Sequence, residues 1–482
     1  MSLAEAPARP AVDWNVVFAP RSVAVAGASA RPDTPGNDYV RCLQDCGFES
    51  PIYPVHPRAE EVNGLRGYAS VRDIEGPVDY VISCVPTEAA YSLLEDCIAR
   101  DVKVIQFFTA RFSETGHADA AELERKIFQR ASEAGIRIIG PNCMGLYVPA
   151  TGLSFRVDFK PAPGGVAFLS QSGSMAIELI YQAFPRGVRF SKVVSYGNGL
   201  DLNAIDFLDY LAADDETKVI AVYIEGVGDG RAFFARLREA ARRKPVVVLK
   251  GGRTEAGTRS AQSHTAALAG QRQVWSTVIK QAGAVEVASL DDLIDAMVGF
   301  SCFPPATGRN VGVVGGGGGR AVQSADACEE AGLSVIPLTE GIRGELRERV
   351  PDIWDWLQNP VDQSILGGYK LGGTDLLAMM GNDPDFHVLI ANLGEDWLLG
   401  RPTGADLVRH VARRFTEIGS KIPKPVAVVI GHADQPEEWR WKAITDARDI
   451  VAEAGVAVYP SVFRAARALA LCGDYWRRRE PA

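Results

Sequence analysis

Along this chain, short and wholly apolar runs alternate with longer stretches whose apolar residues recur at helical spacing. That alternation predicts βαβ units and parallel sheets covered on both faces. A first block runs to about residue 148. It offers the strands SVAVAGA (22–28), PIYPV (51–55), DYVISCV (79–85), VKVIQFF (102–108) and IRIIG (136–140), with the helical ADAAELERKIFQRASEAG between the last two. PATGLSFRVDFKPAPGG (149–165) follows neither period and reads as a connector. A second block opens on GVAFLS (165–170), continues through KVVSYG, KVIAVYIEG and PVVVLKGG, and ends near Phe300. CFPPATGRN (302–310) has the proline and glycine content of a boundary. A third block adds VGVVGGGGG, LSVIPL, HVLIANLG, PVAVVIGH and VAVYPS. The expected class is α/β, with three doubly wound domains in series at 1–148, 149–305 and 306–482. Each opens with a strand, a glycine-rich turn and a helix.

Composition narrows the partners. The 482 residues are 47% hydrophobic and 23% charged, ordinary for a globular protein that is neither disordered nor membrane-embedded. The net charge of −9 excludes nucleic acid as the main partner, since phosphate backbones attract basic surfaces. It leaves room for a local basic patch around a small phosphorylated ligand. The eight cysteines show no CxxC spacing, which argues against a zinc site. They read as reduced core thiols of a cytoplasmic protein. No apolar run is long enough for a signal peptide or a membrane span, so no membrane partner is expected.

Chemistry concentrates in the turns that follow strands. In VAVAGASARPDTPGN, Gly27 closes the first strand and can let a ligand approach the backbone, or simply make the turn. The stretch is not GxGxxG, so a nicotinamide cofactor is not supported. FLSQSGSMAIELI (168–180) crowds Ser170, Ser172 and Ser174 around Gly173 at the start of a helical run. That is an ordinary cap or an anion site, because a helix N-terminus presents free N–H groups and a positive dipole end. Glu225 follows the strand of AVYIEG, at the edge where α/β sites form. VVLKGGRTEAG places Lys250 and Arg253 beside a double glycine. In SAQSHTAALAG (260–270), His264 lies among small residues, which a core histidine would not. The five glycines after Val314 admit a phosphate or another backbone, or make a flexible turn.

The order of motifs resembles one family. VAVAGAS, IIGPNCMG (138–145), LSQSGSMA, VSYGNGLDLN (194–203), YIEG, LKGGRTEAG, SHTAALAG, QAGAVEV and NPVD (359–362) stand in the sequence expected of the NDP-forming acyl-CoA synthetases, relatives of succinyl-CoA synthetase. The likeness runs from about residue 15 to 475 and matches the alpha subunit. It implies a CoA-binding Rossmann domain followed by two flavodoxin-like ligase domains. It further implies an acyl phosphate intermediate and a phosphorylated His264 on a moving loop. Glu225 matches the glutamate that supports the histidine. Ser172, Gly173 and Ser174 match the helix start that receives the phosphoryl group. Gly27, Ala28 and Ser29, with Arg58 and Pro86, match the coenzyme A positions. No metal ligand set is expected in this chain.

No ATP-grasp motif is evident. The resemblance therefore implies that ATP/ADP and Mg2+ come through an ATP-grasp beta subunit, in a homo- or hetero-oligomer acting on a small carboxylic acid or acyl-CoA. The chain departs from the family pattern at Gly315-Gly316, where Thr-Asn is usual, at HPR around Arg58, where NP-Lys is usual, and at FFTARF (107–112), where ISAGF is usual. A nucleotide-independent acyl or carbamoyl transferase and a non-catalytic CoA or acyl-CoA sensor are the alternatives.

Overall fold

A computed structural model describes residues 11–58, 61–262, 272–400, 403–431 and 437–479. The chain divides into two compact units, one from 1–178 with 189–288, the other from 179–188 with 289–482.

The first unit holds two sheets. One carries β1 (Val23–Ala26), β2 (Ile52–Val55), β5 (Tyr80–Ser83), β6 (Val104–Phe107) and β7 (Arg137–Ile139) in the order β2-β1-β5-β6-β7, with β3 (Glu61–Val62) and β4 (Leu65–Arg66) as a separate hairpin. All five main strands are parallel. Every residue of β1, β5 and β6 is buried, as a sheet covered on both faces requires. The helix Ala118–Glu133, read from its helical spacing, buries Ile127 and Ala131 against this core. Strand order reverses beside β1, so the crevice for a ligand opens at the carboxyl ends of β1 and β5.

The other sheet carries β8 (Gly145–Tyr147), β9 (Pro163–Ser170), β10 (Phe190–Ser195), β11 (Val219–Ile224), β12 (Val246–Lys250) and β13 (Val285–Val287) in the order β13-β12-β11-β9-β10-β8. Its reversal lies between β9 and β11, which places Ser170 and Tyr223 side by side at a second crevice. β8 was not expected from the sequence. It pairs antiparallel with β10, an edge position where three residues suffice because neighbouring strands supply the core.

The second unit carries β14 (Val311–Val314), β15 (Val388–Asn392), β16 (Val426–Val429) and β17 (Ala457–Tyr459), all parallel and in chain order. LSVIPL (333–338) does not form the expected strand. It keeps one bridge, Ser334 to Asn310. The reason lies in Asn359 of NPVD. Its side-chain amide donates to the carbonyls of Val311 and Ile336, both at 2.8 Å, and its Oδ1 accepts from the Val313 N–H at 2.9 Å. One side chain thus takes ladder groups that two strands would have exchanged, and Pro337 has no N–H to offer.

Candidate functional site

Two carboxyl-end crevices of the first unit meet in one cleft of about 760 Å³. Its walls are Cys84–Glu88 after β5, Phe108–Arg111 after β6, Asn142–Met144, Gln171–Ser174 after β9, Gly197–Asn198 after β10, and Glu225 after β11.

The β9 end is built by local hydrogen bonds. Ser170 Oγ donates to the Ser172 carbonyl at 2.6 Å and accepts from the Ser172 N–H at 3.2 Å, which folds the chain back into the helix Gly173–Ala183. Ser172 Oγ lies 3.1 Å from Ser174 Oγ and accepts from the Met175 N–H at 3.5 Å. Two hydroxyls therefore edge a helix N-terminus whose first-turn N–H groups lack intrahelical acceptors. Ser174 is exposed and Ser172 half-buried, so an anion can reach them.

Gln171 ties this corner to Glu225. Its Oε1 accepts from the Glu225 N–H at 2.8 Å and the Gly226 N–H at 3.1 Å, while its own N–H donates to the Tyr223 carbonyl. Tyr223 then donates its hydroxyl to Glu225 Oε1 at 3.1 Å. Burial first, and Glu225 second, push the Tyr223 phenol well above its usual range, so it stays a donor. Lys250 is buried, and its ammonium donates to the Glu225 carbonyl at 2.7 Å and to the Gly251 carbonyl. It also lies 5.1 Å from the Trp275 ring centroid. Burial lowers its pKa and Glu225 partly opposes that. Lys250 thus braces the Glu225 backbone. Arg253 donates to the Ala288 carbonyl. His264, with the rest of 263–271, lies outside the described residues.

The nucleotide-type turn after β1 has its own logic. The Gly27 and Ala28 N–H groups both donate to the Val55 carbonyl, at 2.8 and 3.2 Å. Gly27 has φ +88°, and a Cβ there would meet the Cys84 carbonyl oxygen at 2.8 Å. The position is glycine for both reasons. Ser29 Oγ lies 3.2 Å from Thr34 Oγ1, and the Ser29 carbonyl accepts from Asn37 Nδ2 at 3.0 Å. Arg58 is exposed, its N–H given to His56 Nδ1 at 3.1 Å.

Of the residues singled out from the sequence, Pro86, Ser172, Gly173, Ser174 and Glu225 line one cleft. Gly27, Ala28, Ser29 and Arg58 do not line it, although Gly27 abuts its wall at Cys84. Sequence reasoning passed over Gln171, Asn198, Asn142 and Arg111. Asn142 and Arg111 line the cleft and hold φ of +58° and +73°, the left-handed region that non-glycine residues seldom occupy. The Gly-Pro-Asn turn chemistry of IIGPNCMG was a signal for Asn142. Arg111 was marked only indirectly, as part of FFTARF, a departure from the family pattern.

In the second unit the glycine run makes a tight turn. Gly315 has φ +100°, and a Cβ there would lie 1.9 Å from the Asn392 carbonyl oxygen. The run therefore lets another backbone close in. A cavity of about 130 Å³ opens beside it, edged by Arg320 and Asp396 paired at 2.8 Å.

Two α/β crevices, one beside the glycine turn at Gly27 and one at a hydroxyl-capped helix, mark a doubly wound protein whose strand ends suit an anionic, phosphate-bearing ligand. Residues 21–149 match the model of a CoA binding domain, and 163–300 that of a succinyl-CoA ligase like flavodoxin domain. The alpha subunit of acetate–CoA ligase [ADP-forming] I from Pyrococcus furiosus is 33% identical over 466 residues, covering 94% of this chain and 96% of the relative. The 4-hydroxybutyrate–CoA ligase [ADP-forming] of Nitrosopumilus maritimus is 32% identical over 351 residues, and the match spans 50% of that longer protein. The solved acetyl-coenzyme A synthetase 1 of Ca. Korarchaeum cryptofilum, in complex with phosphate and ADP, superposes with a TM-score of 0.77 at 29% identity over 98% of this chain and 99% of that one. The chain belongs to the ADP-forming acyl-CoA synthetase family. Among the described residues no helix is long and apolar enough to cross a membrane.

Proposed function

We propose that this is the alpha-type chain of an ADP-forming acyl-CoA synthetase, catalysing acid + CoA + ATP ⇌ acyl-CoA + ADP + phosphate. In the thioester-cleaving direction, a phosphate oxygen attacks the thioester carbon. The C–S bond breaks, the thiol leaves with a proton, and an acyl phosphate forms. A ring nitrogen of His264 then takes the phosphoryl group, the P–O bond to the acyl group breaks, and the carboxylate departs. The phosphoryl group passes to ADP in an ATP-grasp beta subunit, which supplies the nucleotide site and Mg2+. The first domain (1–148) would hold coenzyme A, the second (149–305) would carry the histidine loop, and the third (306–482) would complete the ligase.

The roles follow from charge. Gly27, Ala28 and Ser29 offer backbone to coenzyme A, Arg58 a cation for its phosphates, and Pro86 a wall for its thiol arm. Ser172, Gly173 and Ser174 stabilise about two negative charges on a phosphoryl group at a helix N-terminus. Glu225 accepts a hydrogen bond from one ring nitrogen of His264 and leaves the other as nucleophile. The observation that carries this reading is the convergence of Pro86, Ser172–Ser174 and Glu225 on one cleft. Incubating the chain alone with acetyl-CoA and radiolabelled phosphate tests it. The expected result is an acid-labile, base-stable phosphohistidine that His264→Ala abolishes. Acyl phosphate release that His264→Ala does not affect would instead support a nucleotide-independent transferase. Coenzyme A binding with neither product would support a sensor.

A further inference from the structure

Arg111 keeps a backbone conformation that its own side chain disfavours. Among the described residues, five non-glycines have positive φ. Four are aspartate or asparagine, the types that tolerate it: Asp33, Asn63, Asp101 and Asn142. The fifth is Arg111 at +73°, where the pattern ISAGF has glycine. A bulky residue in that region is strained, and its surroundings must hold it there. Glu114 does so. Its Oε1 accepts the Arg111 N–H at 2.6 Å, and its Oε2 accepts the Phe112 N–H at 3.1 Å. Oε2 also accepts from Asn198 Nδ2 at 2.8 Å, which ties the turn to the loop after β10. Thr87 Oγ1 donates to the Ala110 carbonyl at 2.7 Å, and the Phe112 ring is buried against Phe107. The turn is thus fixed from several sides, while Arg111 itself is exposed and lines the cleft.

The turn lies near the helix start at Ser172–Ser174. The Asn142 N–H donates to the Thr109 carbonyl at 2.9 Å, and a Cβ on Gly173 would stand 2.7 Å from Met144 Cγ. The segment Asn142–Met144 therefore packs against both. Charge makes the placement informative. Among the described lining residues Arg111 is the only lysine or arginine, set against the carboxylates of Glu88 and Glu225. No carboxylate among the described residues pairs with its guanidinium. A phosphate arriving with about two negative charges meets roughly half a positive charge at the helix N-terminus. The two carboxylates outweigh that. A guanidinium adds a full charge and a fork of donors that fits phosphate oxygens.

Resting on the acyl-CoA synthetase reading, we propose that Arg111 binds the inorganic phosphate that attacks the thioester. The strained turn holds its side chain at the cleft before phosphate arrives, so little ordering is left to do on binding.

The full chain with acetyl-CoA and radiolabelled phosphate tests this. Arg111→Gly keeps the turn, since glycine is at ease at positive φ and Glu114 still takes the same two N–H groups. The phosphate concentration giving half the maximal initial rate of His264 labelling should rise at least about tenfold, while that for acetyl-CoA stays within about threefold. Arg111→Lys, a charge without the fork, should fall between parent and glycine variant. An unchanged phosphate dependence, an equal rise for acetyl-CoA, or a lysine variant no better than the glycine one would each overturn the inference. If the parent chain takes no label, the synthetase reading fails, and calorimetric titration with inorganic phosphate decides on Arg111 alone. Binding at least about tenfold weaker in Arg111→Gly upholds its role. Equal binding, or none to either chain, overturns it.

Discussion

Removing the acceptor on Gln171 should loosen the site without touching any proposed reacting group. Gln171 is 6% exposed, and its Oε1 takes the N–H groups of Glu225 and Gly226. Gln171→Leu keeps the volume and leaves both N–H groups without that acceptor. Each buried orphan costs roughly 1–3 kcal/mol. The Gly226 N–H is buried, while the Glu225 N–H borders the cleft, where water can replace part of the loss. The expected destabilisation is therefore about 2–4 kcal/mol in urea unfolding. The Glu225 carboxylate loses its anchor, so the initial rate of His264 labelling from acetyl-CoA and phosphate should fall about 10- to 100-fold, since loss of precise positioning costs rates of this order. Gln171→Glu keeps an acceptor at the same place. It should restore most of the stability but not the rate, because a carboxylate beside Ser172 repels the incoming phosphate. If Gln171→Leu unfolds within about 0.5 kcal/mol of the parent, the two hydrogen bonds do not hold the end of β11, and the account of how Glu225 is positioned fails.

Three further outcomes follow from the same geometry. Gly315→Ala forces a Cβ into the Asn392 carbonyl at a positive φ, and should destabilise by at least about 2 kcal/mol in urea unfolding; an unchanged midpoint would contradict the tight turn. Asp79 receives the Arg21 side chain at 2.8 Å, a hydrogen bond that lowers its pKa. A folded pKa below the unfolded value of about 3.9 stabilises above that value and loses its effect as pH falls through the folded one. The stability gap between parent and Asp79→Asn should thus be full at pH 6 and close in stronger acid, and a gap independent of pH from 6 to 2 would refute the pairing. Cys84 lines the cleft, but burial raises its thiol far above the usual range, so it is no nucleophile at neutral pH. Cys84→Ala should leave phosphohistidine labelling within about threefold, whereas a hundredfold loss would point to an acyl-cysteine.

The sequence by itself determined the layer architecture. A strand buried on both faces must be continuously apolar, and a covering helix must be apolar on one side, so the two periods can be read directly from VAVA, YVIS, VVVLK and the stretch 118–135. It also marked Ser172–Ser174 and Glu225, because strand ends followed by small or polar residues are where α/β chains turn into ligand-binding loops. Tertiary structure alone decided which strand ends meet. That choice rests on strand order, with β1 beside β5 and β9 between β10 and β11, and order leaves no local trace. It likewise decided that Asn359 replaces a ladder at LSVIPL, that Lys250 braces backbone, and that Gln171 joins two loops 54 positions apart. Each depends on a hydrogen bond between residues distant in the chain. Periodicity reports only the burial of single positions, never the partner across a cavity.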